Sequence, residues 1–210
     1  MHCLFAHGFE GVPSGRKARY LREVLGFEVT APLMNRTGWS FEDQIEAVLE
    51  AVDADPSIEL LVGSSMGAFA IAAAAARRRS RAFKLLLMAP AVGIHACWVD
   101  QLGEDGMKLW AEMGALQYHH QGVGEQVELP YRLWTQCRDE AEVVATHPTV
   151  IVHGLRDDVI PIQHAVAFAV RSPGVKRLYG VDDGHRLLDH LPLIGEAVEV
   201  LGIGRGAEAR

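Results

Sequence analysis

The sequence predicts an α/β protein of three layers, a mainly parallel sheet of about six strands with helices on both faces. Three observations carry this. Short apolar runs alternate with longer segments of helical period along the 210 residues. Glycine or proline closes most of the apolar runs, as strand ends require. One stretch, from about 93 to 146, breaks the alternation, as an insertion between two strands would.

The strand-like runs fall at 2–6, 27–31, 58–63, 83–89, 148–153 and 175–180, and Gly8, Pro32, Gly63, Pro90, Gly154 and Gly180 mark their ends. Helical period appears at about 14–25, 40–53, 66–79, 161–170 and 187–201. Ser40 followed by Asp43 forms a capping-box-like start before Ile45 and Val48. Alanine fills the run after Met66, which favours helix by propensity. Pro161 stands where a first helical turn tolerates a missing N–H. Within the insertion, Trp98, Met107, Leu109, Trp110, Met113, Trp134 and Cys137 are scattered among glycines and charges. Fifty-odd residues exceed an ordinary crossover, so residues 93–146 read as a small cap or packing appendage on a single domain spanning 1–210.

Bulk properties narrow the function classes. With 49% hydrophobic and 22% charged residues the chain can bury one sizeable core. A net charge of -7 gives no reason to expect a nucleic-acid partner, and the run Arg77-Arg78-Arg79 with Arg81 suits a helix C-terminus facing solvent. Cys3, Cys97 and Cys137 are odd in number and widely spaced, which argues against a disulfide framework and for a reducing, cytoplasmic setting. The opening residues read as a strand rather than a signal segment, and no apolar run approaches the roughly 18 residues of a membrane span. No metal or cofactor is implied. His119-His120 are adjacent, so their side chains diverge, and no carboxylate or cysteine sits at ligand spacing; they read as exposed polar residues.

The chemistry concentrates in Gly63-Ser64-Ser65-Met66-Gly67, which joins an apolar strand to the alanine-rich helix. Composition alone would produce such a pentapeptide in roughly one chain in fourteen, so the strand-to-helix context decides. A serine on that turn projects its oxygen above the sheet, with the N–H groups and positive dipole end of the helix aimed at the same point. His7-Gly8-Phe9 follows the first strand, where the Phe9 N–H can join that of Met66 as an oxyanion hole. His7 itself suits a turn-fixing role through hydrogen bonds. The His153-to-Pro161 segment supplies Asp157, a carboxylate able to orient an imidazole, with Asp158 as a helix-start or solvated acid. Asp182-Asp183-Gly184-His185 follows the last strand and supplies His185 as a general base.

On these residues the chain resembles the α/β-hydrolase superfamily over essentially its whole length, and within it the short bacterial esterase-like members that begin at the oxyanion strand. The resemblance implies a nucleophile at Ser65, an acid at Asp157, a base at His185 and backbone donors at Phe9 and Met66. It implies a small-molecule acyl ester as substrate, with a thioester or an acyl transfer on the same triad as alternatives. A non-catalytic binding module on this fold would have little use for the three side chains together. Asn35, Arg36 and Trp39 follow the Ala31-Pro32 strand end, and His95 follows the strand ending near Met88, all on the face where open parallel sheets bind ligands. These four, with Trp98 and Trp110 of the insertion, are the candidates for lining a substrate pocket.

Overall fold

The computed structural model describes residues 1–204; residues 205–210 of the expected domain lie outside the described residues. Six parallel strands form one sheet in the order β2-β1-β3-β4-β7-β8. They are β1 (His2–Ala6), β2 (Glu28–Thr30), β3 (Leu60–Ser64), β4 (Lys84–Met88), β7 (Thr149–Gly154) and β8 (Val175–Val181). The helices are α1 (Arg16–Arg19), continued by a wider π turn over Tyr20–Val24, then α2 (Phe41–Ala54), α3 (Met66–Arg77), α4 (Ile94–Met113), α5 (Tyr131–Asp139), α6 (Ile162–Arg171) and α7 (Leu193–Val200).

The central strands are apolar on both faces because both faces are covered. Leu4, Leu61, Leu85, Leu87 and Ile151 point toward α2, α3, α5 and α6, where Phe41, Phe69, Leu133 and Phe168 meet them. Their neighbours Phe5, Val62, Leu86, Met88, Val150 and Val152 point the other way, against the π turn after α1 and against α7 through Leu21, Ile194 and Val198. Period-2 alternation between two apolar layers is the physical content of the near-continuous hydrophobic runs in the sequence. The capping box of α2 forms as its sequence predicts: the Ser40 hydroxyl accepts from the Asp43 N–H, and Asp43 accepts in return. No helix among the described residues is long and apolar enough to cross a membrane.

Two expectations shift. The last helix begins at Leu193 rather than near 187, because Leu187 takes a positive φ of 49° and the chain turns through Pro192 before winding. The stretch from 93 to 146 is also more ordered than its composition suggests. It contains α4, kinked where Gly103 leaves helical φ/ψ, an antiparallel hairpin of β5 (Ala115–His120) and β6 (Glu125–Pro130), and α5. Most of the hairpin's side chains are exposed, which is why it carries little of the alternation that marks a buried strand.

Candidate active site

Ser65 stands between the end of β3 and the start of α3 at φ 55°, ψ −122°, a conformation that a non-glycine residue adopts only where its surroundings impose it. Those surroundings are visible. Its N–H donates to the Met88 carbonyl (2.9 Å), and its carbonyl accepts from Phe69 and Ala91 (3.1 Å each). The glycines on either side follow from contact distances: a Cβ at Gly63 would lie 2.5 Å from the Ala68 Cα, and one at Gly67 would lie 2.3 Å from the Ala6 carbonyl oxygen. The turn is sharp enough that two backbones pass through the space a side chain would need.

The His185 Nε2 lies 2.8 Å from the Ser65 Oγ, and its Nδ1 lies 2.8 Å from the Asp157 Oδ2. With a carboxylate on one side, Nδ1 carries the proton and donates to Asp157, which leaves Nε2 free to accept from the Ser65 hydroxyl. Asp157 is held on every side. Its Oδ1 accepts the N–H groups of Val159 (3.0 Å) and Ile160 (2.8 Å), and its Oδ2 also faces the buried His153 Nε2 at 3.1 Å. Burial opposes its ionisation, but the hydrogen bonds from His153 and His185 outweigh that cost and hold the carboxyl well below the usual carboxylate range. Asp158, by contrast, is exposed.

The loop that carries His185 is built around a second acid. Asp183 accepts from the Gly184 N–H (2.7 Å), the Asp189 N–H (3.1 Å) and His190 Nδ1 (3.1 Å). Lys17 reaches across from α1 to donate to the Arg186 carbonyl (2.7 Å), and burial pushes its ammonium down to about 8. His190 and Asp189 therefore brace a turn ahead of the last helix rather than standing on it.

Opposite, the His7-Gly8-Phe9 turn presses against Ser65, a Cβ at Gly8 falling 3.1 Å from that of Ser65. The Gly8 carbonyl accepts from His7 Nδ1 (2.8 Å) and from the Gly11 N–H (2.9 Å). That carbonyl and the Phe9 N–H belong to one peptide plane, so fixing the first aims the second. The Phe9 N–H has no hydrogen-bond partner among the described residues, and the Met66 N–H is in the first turn of α3, where no intrahelical acceptor exists.

Beside this turn lies a narrow crevice of about 20 Å³, room for little more than one water molecule and open to solvent, walled by Phe9, Val12, Met34, Trp39, His120 and Val123. Asn35 and Gln44 also line it. Arg36 does not; it is exposed and turns away to pair with Glu50 on α2, the long side chain finding a carboxylate in the opposite direction. His95 is half-buried in the first turn of α4, outside the crevice, and its carbonyl accepts from the Trp134 indole (3.0 Å). Trp110 is buried inside the insertion, donating to the Leu129 carbonyl (2.9 Å), and half-buried Trp98 packs edge-on against it at 5.7 Å. Neither indole lines the crevice: the insertion reaches it through its hairpin.

His120 is the main departure from the sequence reading. It is 1% exposed; its Nε2 donates to the Phe9 carbonyl (2.6 Å), its Nδ1 accepts from the Val123 N–H (3.2 Å), and its ring packs on Phe9 and Trp39. Gln44 belongs to no motif, although a glutamine three residues after Phe41 and just before Ile45 stands on the buried side of the helical period. Among the described residues no cluster of side chains suited to a metal ion occurs.

Residues 2–175 match the family described as Uncharacterised protein family (UPF0227). No match was found among curated proteins. Among solved structures the chain is similar to alpha/beta hydrolase domain-containing protein 10 from mouse, at 21% identity and a TM-score of 0.77 over 95% of this chain and 88% of that one. It is similar to Est1E from Butyrivibrio proteoclasticus with ferulic acid bound, at 22% identity and a TM-score of 0.76 over 96% and 87%. It is also similar to a monoacylglycerol lipase from Paleococcus ferrophilus, at 13% identity and a TM-score of 0.73 over 96% and 94%. These likenesses establish the α/β-hydrolase fold.

Proposed function

We propose that this chain, which belongs to the Uncharacterised protein family (UPF0227) and has the α/β-hydrolase fold, is a serine hydrolase that cleaves a carboxylic ester of a small or medium acyl group. One observation carries it: Ser65, His185 and Asp157, drawn from three separate loops, stand in a hydrogen-bonded row with both contacts at 2.8 Å. Around the nucleophile the backbone is strained, and strain of that kind persists where a site is pre-organised.

The chemistry follows from the donors and acceptors. His185 Nε2 takes the Ser65 proton as the oxygen attacks the ester carbonyl, and the Phe9 and Met66 N–H groups stabilise the oxyanion, each worth about 3 to 4 kcal/mol in comparable sites. The imidazolium, stabilised by ionised Asp157, returns its proton to the leaving alcohol as the carbon–oxygen bond breaks. Water, activated by the same imidazole, then adds to the acyl-enzyme and releases the acid and the free serine. The proposed domain is the whole chain, with residues 93–146 as a cap that walls the site.

A fluorophosphonate probe should label the wild-type protein, and a panel of p-nitrophenyl esters from acetyl to palmitoyl should show turnover. Ser65→Ala should abolish labelling and lower kcat/KM by a factor on the order of 10³ or more with the fold intact. Absence of both labelling and turnover in the wild type would overturn the proposal.

A further inference from the structure

The Phe9 carbonyl belongs to the turn that follows β1, yet the group that donates to it comes from the insertion. His120 of β5 is 1% exposed and reaches that carbonyl with Nε2 at 2.6 Å. Its tautomer is fixed from the other side of the ring. Nδ1 faces the Val123 N–H at 3.2 Å, a group that can only donate, so Nδ1 is the acceptor and the proton stands on Nε2. The Glu10 Oε2 lies 3.7 Å from Nδ1, beyond hydrogen-bond distance.

His7 does the same for the preceding peptide. Its Nδ1 donates to the Gly8 carbonyl (2.8 Å), its Nε2 faces the Met34 N–H at 3.4 Å, and burial holds the imidazole below the usual histidine range, in the neutral form that this needs. The Gly8–Phe9 and Phe9–Glu10 peptides are rigid planes, joined by the two soft dihedrals of Phe9. One imidazole on each carbonyl leaves neither plane free to turn. The Phe9 ring is held as well, with Trp39, Tyr118 and His120 packed on it at centroid distances of 5.4, 5.5 and 5.0 Å. The hairpin is seated closely, since a Cβ at Gly122 in its turn would lie 2.6 Å from the Glu10 carbonyl oxygen.

The two N–H groups proposed as oxyanion donors differ in how they are held. That of Met66 is in the first turn of α3, and the helix fixes its direction. That of Phe9 sits in an irregular turn and depends on these contacts. Resting on the serine-hydrolase reading, we infer that His120 is a positioning residue: through the Phe9 carbonyl it locks the direction of the Phe9 N–H, so that the hairpin of the insertion completes the oxyanion hole without touching substrate. A donor of this kind acts only where it is pre-organised, and a small misdirection forfeits much of its effect.

His120→Met removes the donor and keeps most of the volume, whereas His120→Gln keeps an N–H near the position of Nε2. On the p-nitrophenyl ester that is turned over best, His120→Met should lower kcat about tenfold or more with KM within about twofold, and His120→Gln should recover most of the loss. An alkyl trifluoromethyl ketone reads the oxyanion directly, because Ser65 Oγ bonds to its carbonyl carbon while the hydroxyl proton passes to His185 and the π pair to the carbonyl oxygen. Its inhibition constant should rise in His120→Met by about the factor by which kcat/KM falls. Unchanged kcat in His120→Met, an equal loss in His120→Gln, or a fall in kcat with an unchanged inhibition constant overturns the positioning role, and wild-type turnover leaves the hydrolase reading standing. A wild type that neither turns over an ester nor takes the fluorophosphonate label overturns both. Should His120→Met fail to fold, nitrogen NMR spectra of the wild-type imidazole decide: a proton on Nε2 supports the inference, and a proton on Nδ1 overturns it.

Discussion

The strand-end loops that bring Ser65, Asp157 and His185 together and the mid-chain insertion that meets the neighbouring His7-Gly8-Phe9 turn are built from different physics. The loops bearing Ser65 and Asp157 leave strands buried on both faces and the His185 loop leaves the edge strand beside them, and close backbone contacts fix them, as where a Cβ at Gly154 would meet the Asp183 carbonyl at 2.4 Å. The hairpin of the insertion is largely exposed and meets the His7-to-Glu10 turn through a few polar bonds and the packing of Tyr118 and His120 on Phe9. The Ser65-His185-Asp157 row thus rests on the rigid sheet, whereas part of the neighbouring crevice wall rests on a lightly anchored appendage.

The sharpest break in that comparison lies on the sheet side. Asp157→Asn should lower kcat/KM on the order of 10³-fold, because an amide in place of the carboxylate favours the wrong tautomer of His185 and cannot stabilise its cation. The Val159 and Ile160 N–H groups would keep their acceptor, so melting should change little. Asp158→Asn should stay within a few-fold of wild type, and an equal loss in both variants would reverse the assignment.

Next comes the interior of the insertion. Trp110 is 2% exposed and its indole N–H is satisfied by Leu129, so Trp110→Ala should cost about 3 to 5 kcal/mol of stability while leaving preference across acyl lengths unchanged. Thermal unfolding together with relative kcat/KM checks this. A shifted preference at unchanged melting temperature would make Trp110 a pocket wall after all.

What the sequence discloses divides along the same line. The serine elbow is legible because its glycines answer to contacts within a few residues and with one neighbouring strand. The acid and base loops are legible because they follow strand ends marked by apolar runs. His120 is not: in a strand one of two adjacent histidines must face inward, but only the docking of the hairpin on Phe9 decides which. Arg36 misleads for the related reason that a long side chain next to a site is free to pair elsewhere, here with Glu50. Gln44 lies between these cases, since its helical period places it inside but nothing local says what it faces.

The smallest effect tests how the appendage is fastened. Glu10, just past the His7-Gly8-Phe9 turn, accepts from the Tyr118 hydroxyl with Oε1 and from the Gly122 N–H (3.2 Å) with Oε2, and so ties both the strand and the turn of the hairpin to the loop that carries the Phe9 N–H. The hydrogen bond to Glu10, with some help from burial, pushes the Tyr118 phenol up to about 12. A folded-state value above that of the unfolded chain means that the bond stabilises the hairpin fully below the ordinary tyrosine range and is lost only as pH rises through about 12. Ultraviolet titration of wild type minus Tyr118→Phe should therefore show one phenol ionising late. In Glu10→Gln the same phenol should return toward 10, with kcat/KM falling only a few-fold, since this side chain touches no reacting atom. If the phenol titrates normally in the wild type, the hairpin is not fastened through Glu10, and the contrast between a rigid reaction centre and a tethered pocket wall loses its tether.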